Sequence, residues 1–236
     1  ETKAVDYLGG TYTVSPDLSV ALYGSQFQDL WHQYYASAQL ALPLAAVLAL
    51  SLNGHLYHTI NHGRAIAGRI DNTAWSLDAV YAFGGQTLTL AYQRIQGDVP
   101  FDYAGFGKEN ATGDSIVLAN SILVSDFNGP GEQSAQLRYD LDLGDHGLPG
   151  LSLMARYVYG WGVDGRHADP SGAYAGLYGA GDRERELNVE VKYVVPEGCA
   201  KDLSIRLQQG WHTGAVALNG DTNQFRLMFE YPLSLR

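Results

Sequence analysis

Cysteine, charge and long apolar runs are all scarce in this 236-residue chain. Its single cysteine, Cys199, excludes an internal disulfide, so cysteine usage does not indicate the compartment. The longest apolar run, residues 40–52, is interrupted by Pro43 and is too short for a membrane-spanning helix. These scarcities exclude a helical membrane protein. A disordered chain is also excluded, because 46% of the residues are hydrophobic.

Glycine and tyrosine are abundant instead, with 28 and 16 residues respectively, and the formal net charge is −10. Charged residues make up 17% of the chain, below the usual quarter. This composition is typical of an outer-membrane barrel. The acidity, without any basic cluster in the sequence, argues against a nucleic-acid partner. The sequence carries neither an initiator methionine nor a signal peptide, so we expect a processed or partial product.

Apolar and polar residues alternate along many segments, as they do in strands with one apolar face. Residues 151–161 show the alternation well, with these residues on one face: Leu151, Leu153, Ala155, Tyr157, Tyr159 and Trp161. The opposite face carries Arg156. In a soluble sandwich the apolar face would lie inside. In a membrane barrel it would face lipid, and the charges would face a water-filled lumen.

The spacing of turn signals favours the membrane barrel. From residue 61 onward, long connections at 61–71, 97–131, 162–183 and 214–222 alternate with short, turn-rich connections. Outer-membrane barrels have this asymmetry, with tight periplasmic turns and longer extracellular loops. The sequence therefore predicts an all-β, transmembrane, antiparallel up-and-down β-barrel with about eleven strands in this chain.

The predicted strands have two different faces. We expect Leu77, Tyr81, Leu187, Val191 and Phe229 to face lipid, with polar residues on the opposite parity facing the lumen. One exception is Arg94, which has the apolar parity and lies at the long-loop end of its strand. A long arginine side chain at that position is expected to reach lipid phosphates.

Several motifs resemble the OprD (Occ) family of substrate-specific porins from pseudomonads and their relatives. They include Pro-Phe-Asp-Tyr at 100–103, Gly-Asp-Ser-Ile at 113–116, Ser-Asp-Phe-Asn-Gly-Pro-Gly-Glu at 125–132 and Glu-Tyr-Pro-Leu-Ser-Leu at 230–235. The resemblance covers nearly the whole chain. It therefore predicts that residues 1–236 form a single porin domain. It implies the C-terminal part of a monomeric barrel that has eighteen strands in complete family members. The remaining strands lie outside this sequence, or the chain is a truncated or redesigned smaller barrel.

The resemblance also implies a ladder of basic side chains down one wall of the lumen. Five inward-parity residues fit it: Arg138, Arg156, Lys192, Arg206 and Arg226. Such a ladder draws carboxylate-bearing solutes into the pore. The alternative is that these residues form structural salt bridges with Asp140, Glu190 and Glu230.

The segment 97–131, called here the long loop, exceeds the usual length of an idle connection. By resemblance it matches the constriction loop that folds into the pore, and these residues are the candidates within it: Asp114, Ser115, Asn120, Ser121 and Asp126. Asp114 or Asp126, placed opposite the arginines, would orient a zwitterion. The alternative is a solvated outer loop.

Catalysis is not expected. No Gly-x-Ser-x-Gly elbow occurs, and His55 and His58 would face opposite sides of one strand, so neither a hydrolase nor a metal site is indicated. The leading hypothesis is passive, substrate-selective diffusion of small anionic or zwitterionic solutes across the bacterial outer membrane, without a cofactor. Expected contacts include outer-membrane lipid and lipopolysaccharide. The alternatives are a phospholipase- or protease-like barrel enzyme and a barrel without a selective pore.

Overall fold

Eleven antiparallel strands form one sheet, with the strands side by side in chain order. The computed structural model describes residues 4–103 and 116–232. The strands are β1 (Val5–Ser15), β2 (Leu18–Phe27), β3 (Trp31–Ala45), β4 (Leu48–Asn61), β5 (Asp71–Phe83), β6 (Gln86–Gln96), β7 (Gln133–Asp142), β8 (Leu151–Asp164), β9 (Ala180–Val194), β10 (Ser204–Gly214) and β11 (Thr222–Glu230).

Each strand pairs with its neighbours in sequence, which confirms the all-β, up-and-down prediction. Within the described residues, β1 and β11 each pair on one side only, so the sheet is open. Two single-turn 3₁₀ helices, Gly144–His146 and Val216–Leu218, lie in the connections. In the part of the chain that is described, no helix has the length and apolar character needed to cross a membrane.

The connections divide between the two edges of the sheet. One edge, called here the short-turn edge, carries the tight turns at residues 16–17, 46–47 and 84–85 and the connections at 143–150 and 195–203. The other carries the turn at 28–30 and the loops at 62–70, 97–132, 165–179 and 215–221. One tight turn, at residues 46–47 between β3 and β4, falls inside the apolar run 40–52 and contains neither glycine nor asparagine. Pro43 is accommodated there because the register shifts between Pro43 and Ala45, and proline is tolerated at such irregularities.

The sheet is apolar outside and polar inside, the reverse of a soluble sandwich. Leu77, Tyr81, Leu187, Val191 and Phe229 are all exposed, with Phe229 at 64%. Side chains of opposite parity, including those of Ser76, Gln93 and Glu186, are completely buried. The predicted assignment of the apolar parity to the outside is confirmed.

Apolar packing on the inner face comes from the long loop. Phe101, Ile116 and Leu118 pack against Tyr57 and Ile95 of the sheet wall. Further along the loop, Ile122 and Phe127 pack on Val158 of β8. The loop therefore folds across the inner face of the sheet instead of standing above its edge.

Candidate functional site: a basic cavity beneath an inward loop

The five basic residues predicted for the lumen, called here the basic cluster, come together in the structure. They line one cavity of about 420 Å³: Arg138, Arg156, Lys192, Arg206 and Arg226. Asp140 and Glu190 line the same cavity. Five cations and two carboxylates leave an excess of three positive charges among the lining residues.

Strand register explains how residues so distant in sequence converge. Arg138 lies directly opposite Arg156 across β7 and β8. Asn188 of β9 lies in the same row as Arg156, and two lumen-facing rows closer to the short-turn edge Lys192 lies opposite Arg206 across β9 and β10. In the row between them, Gln208 of β10 faces Arg226 of β11. Alternate residues share a face of a sheet, so a step of two residues keeps all these side chains on the lumen side.

Two of the cross-strand pairs are like-charged, namely Arg138 with Arg156 and Lys192 with Arg206. Like charges directly opposite one another destabilise a sheet. A wall selected only for stability would alternate signs at these positions. The arrangement therefore concentrates positive potential on one side of the lumen.

Salt bridges account for part of the cluster but not all of it. Arg138 binds Asp140 in a bidentate manner, with Nε to Oδ2 at 2.8 Å and a terminal nitrogen to Oδ1 at 2.7 Å. Arg206 stands 3.8 Å from Glu190, which is at the limit of an ion pair. Glu230 forms no ion pair with any described residue. Among these ion pairs, only that of Arg138 with Asp140 is bidentate.

The remaining residues of the basic cluster are Arg156, Arg226 and Lys192. Arg156 donates two hydrogen bonds to Asn188 Oδ1, at 2.8 and 3.2 Å. Arg226 donates to the carbonyl of Leu123 in the long loop at 3.2 Å. Lys192 has no hydrogen-bonding or ionic partner among the described residues, and its ammonium is available to a solute.

The long loop is fixed to the lumen wall by side chains from several strands. Gln93 of β6 accepts from the Asn120 amide and donates to the carbonyls of Asp126 and Phe127, at 2.8 to 2.9 Å. Ser76 of β5 accepts from the Ala119 amide at 3.0 Å. A loop without regular structure leaves its backbone groups unpaired, so these bonds satisfy groups that burial would otherwise leave orphaned.

Glu186 of β9 holds the far end of the loop. Its two carboxylate oxygens accept from the backbone amides of Val124 at 3.0 Å and Ser125 at 2.9 Å. The Asn188 side chain donates to the same carboxylate at 2.6 Å. All three partners are donors, which is the set that an ionised carboxylate accepts. This contact places Leu123 over Gly210, where a Cβ would stand 2.9 Å from the leucine side chain.

Buried polar residues also lie beneath the end of the long loop, where the His212 ring contacts Phe127 at a centroid distance of 6.5 Å. Glu184 Oε2 lies 2.6 Å from His212 Nε2, while His212 Nδ1 lies 2.7 Å from the Gly220 carbonyl. A carbonyl only accepts, so Nδ1 carries a proton, and the short contact to Glu184 requires a second proton on the ring or the carboxyl. Glu132 approaches Gly160 so closely that a Cβ there would stand 2.2 Å from its Oε1.

The predicted constriction residues differ in where the structure places them. Asp114 and Ser115 lie outside the described residues. Asn120 is fully buried and donates to Ser134 Oγ at 2.8 Å, so it anchors the loop to the wall. Ser121 lines the basic cavity, together with Ile122 and Leu123. Asp126 is not among the residues lining that cavity; its carboxylate accepts from Tyr103 at 2.6 Å and from Ser121.

A neighbouring cavity of about 470 Å³ extends the path along the lumen face. Arg138 and Arg156 line it too, and Asp78 of β5 lies on its opposite side. Asp78 accepts from Asn53 Nδ2 at 2.7 Å. The described lumen therefore offers a carboxylate opposite the arginines, at a position that the sequence argument did not select.

The outer loops interlock above the strand ends. Tyr174 donates to Asp102 Oδ2 at 2.8 Å, which joins the loop at 165–179 to the start of the long loop. Burial, reinforced by the nearby Asp102 carboxylate, raises the pKa of the Tyr174 phenol well above its usual range. Gln33 of β3 donates to the Asp102 carbonyl at 3.0 Å.

Sequence reasoning missed the buried residues that position the loop, chiefly Glu184, Glu186 and His212. Their inward parity was visible in the alternation of β9 and β10. Buried carboxylates are rare, however, and nothing local marks them as supports for a distant segment. No group of three or more histidine, cysteine or acidic residues within the described ranges is arranged to hold a metal ion.

A sheet with a lipid-type exterior, a charged inner face and a loop folded across that face defines a pore-forming protein of the outer membrane. The comparisons agree. The family model described as "outer membrane porin, OprD family" matches residues 1–235, and the chain belongs to that family. The members it matches are porins and not enzymes.

Individual relatives give the extent of the similarity. The chain is 48% identical to Porin D of Pseudomonas aeruginosa, covering 99% of this chain and 54% of that protein. It is 30% identical to the porin-like protein GalP of Pseudomonas putida, covering 98% of the chain and 51% of that relative. The chain thus spans about half the length of these curated relatives.

Solved structures show the same relation. The chain superimposes on a crystal structure of P. aeruginosa OprD with a TM-score of 0.93 at 46% identity, covering all of this chain and 62% of that one. On P. aeruginosa OccD3 (OpdP) the TM-score is 0.86 at 37% identity, covering 96% and 56%. These matches confirm the predicted barrel porin fold and the outer-membrane location.

Proposed function

We propose that the protein conducts small carboxylate-bearing solutes by passive diffusion, and that the basic cluster forms their path. The observation that carries the proposal is the convergence of five cationic side chains on one cavity, including two like-charged pairs in direct register. A lumen lined by one sign of charge raises the local concentration of the opposite ion. An available ammonium on Lys192 and a loosely paired Arg206 would offer successive partners to a carboxylate.

Amino acids fit the same lumen when both of their charges are considered. Their carboxylate would meet Arg138 or Arg156, and their ammonium would meet Asp78 across the neighbouring cavity. We also propose that residues 97–131 act as the constriction loop of a single barrel domain, which works as a monomer. Its support by Gln93 and Glu186 favours a fixed narrowing over a passive outer connection.

The test uses the full-length porin, as its own gene encodes it, reconstituted in liposomes. Replacing Lys192 and Arg206 by glutamine should lower the flux of a monocarboxylate roughly tenfold, while the flux of a neutral sugar of similar size changes little. The matched control replaces Arg64 and Arg166, which are paired with carboxylates outside the lumen, by glutamine.

The difference should shrink when ionic strength rises from 0.1 to 1 M, because the Debye length falls from about 10 to about 3 Å. Equal loss of anionic and neutral flux would mean that the two residues only maintain the wall. Unchanged flux of both solutes would exclude this part of the lumen as the path.

A further inference from the structure

We propose that the outer face of β6–β9 carries a binding site for a phosphorylated lipid of the outer leaflet. The site consists of three arginines and three aromatic residues, called here the outer-rim patch: Arg94, Arg183, Arg185, Tyr92, Tyr159 and Trp161. All lie near the long-loop edge of the sheet, which is the extracellular edge in barrels of this class.

Strand register places these residues side by side on the lipid-facing surface. Arg94 of β6 is opposite Trp75 on one side and Gln133 on the other, and Gln133 is opposite Trp161. In the adjacent row toward the membrane, Ala135 of β7 lies between Tyr92 and Tyr159.

The same row continues to β9, where Arg185 lies directly opposite Tyr159. Arg183, two residues further toward the loops, approaches the Tyr159 hydroxyl at 3.5 Å. Both arginines are exposed. Two register rows thus bring the guanidinium groups of β6 and β9 to one stretch of the outer surface.

The aromatic residues of the patch pack on one another. Tyr92 and Trp161 have ring centroids 6.4 Å apart, and Tyr92 lies opposite the small side chain of Ala135. Tyr92 is fixed by donating to Gln133 Oε1 at 2.7 Å. Aromatic rings at this level belong to the interfacial belt, where lipid headgroups meet acyl chains. The exposed side of these packed rings offers a flat apolar surface to the upper part of an acyl chain.

The positive charge of the three arginines indicates that the lipid headgroup bound by the outer-rim patch is an anion. Within the described residues, none of the three arginines forms an ion pair. The Arg94 Nε is also buried without a hydrogen-bond partner. Unpaired guanidinium groups on a lipid-facing wall are costly unless an anion reaches them. Guanidinium matches phosphate in bidentate geometry, whereas zwitterionic headgroups bring their own cation.

The partner that fits is therefore a lipid phosphate monoester attached to acyl chains, as in the phosphorylated glucosamine lipids of the outer leaflet. Free phosphate would satisfy the arginines but would leave the aromatic surface beside them uncovered. The outer-rim patch lies on the outside of the barrel, on the opposite face of the wall from the basic cluster.

The binding test uses the full-length porin purified in detergent and titrated with lipid A carrying both phosphates. The matched probes are the same lipid A without its phosphates, and inorganic phosphate. Replacing Arg94 and Arg185 by glutamine should weaken binding of phosphorylated lipid A by at least about tenfold, because bonds to charged groups are lost. The Arg69→Gln variant removes a cation from an exposed loop above the strands and should bind like the wild type.

Three results would overturn the proposal. The first is equal affinity of the wild type for phosphorylated and dephosphorylated lipid A, and this comparison needs no variant to fold. The second is unchanged binding in the folded double variant, with folding verified by heat-modifiable migration. The third is inorganic phosphate binding as tightly as the lipid. Lysine at both positions keeps the charges and should retain most of the binding, which separates loss of charge from loss of fold.

Discussion

Replacing Glu186 by glutamine should release the far end of the long loop from the lumen wall. Glu186 is completely buried, and its carboxylate accepts from the amides of Val124 and Ser125 and from Asn188. A glutamine has nearly the same shape but keeps only one acceptor oxygen. Its amide group would place a donor against one of the two backbone donors.

The magnitude follows from those contacts. Loss of one charge-assisted bond, leaving a buried amide unsatisfied, costs about 2–3 kcal/mol. Since each 1.4 kcal/mol is a factor of ten, the ratio of displaced to seated loop should rise roughly 30- to 150-fold. Gln93 would still hold Asn120, Asp126 and Phe127. The movement should therefore be confined to residues near Leu123, which contacts Arg226.

Single-channel recording of the full-length porin in a planar bilayer measures this directly. We expect E186Q to show brief transitions to a larger conductance that are rare in the wild type. The matched control is E190Q, the same change four residues further along β9, where the carboxylate pairs with Gln208 and Arg206 and makes no hydrogen bond to the described part of the long loop. E190Q should increase anion preference without adding transitions.

If folded E186Q has the same conductance and the same noise as the wild type, Glu186 does not hold the loop against the wall. If E190Q produces the same transitions, the effect comes from lumen charge and not from the position of the loop.

Three further predictions concern the outside, the base of the loop and the outer mouth. Arginine in place of Leu90, on the lipid face, should destabilise the barrel by about 2–4 kcal/mol if this position lies near the bilayer midplane. Arginine in place of Thr87, on the lumen face, is the control and should have little effect. Unfolding in urea measures the stability of both variants. Gly160→Ala should push Glu132 and the adjoining loop away from the wall and so change the conductance, because its Cβ would stand 2.2 Å from the carboxylate. Unchanged conductance would contradict this. Tyr174→Phe removes the bond to Asp102 and should increase protease cleavage in the loop at 165–179 without changing the unfolding midpoint of the barrel.

The architecture of the sheet could be predicted from local sequence pattern alone. A period of two assigns each side chain to one face without knowledge of any partner, so the exposure of Leu77 and Phe229 followed from local pattern. Turn chemistry located most strand ends for the same local reason. The turn between β3 and β4 was not recognised, because its residues, Ala46 and Val47, carry no turn signal.

How the wall and the long loop meet depends on contacts between residues that are far apart in the sequence. The sequence placed Asn120 and Asp126 in a loop, but not the burial of Asn120 against Ser134 or the engagement of Asp126 by Tyr103. Nor did it single out Glu186, which acts on amides more than sixty residues away. A buried carboxylate is stable only where its donors converge, and that convergence depends on strand register and on the path of a loop without periodicity. Local pattern therefore fixes the faces of the barrel, whereas long-range pairing fixes the pore.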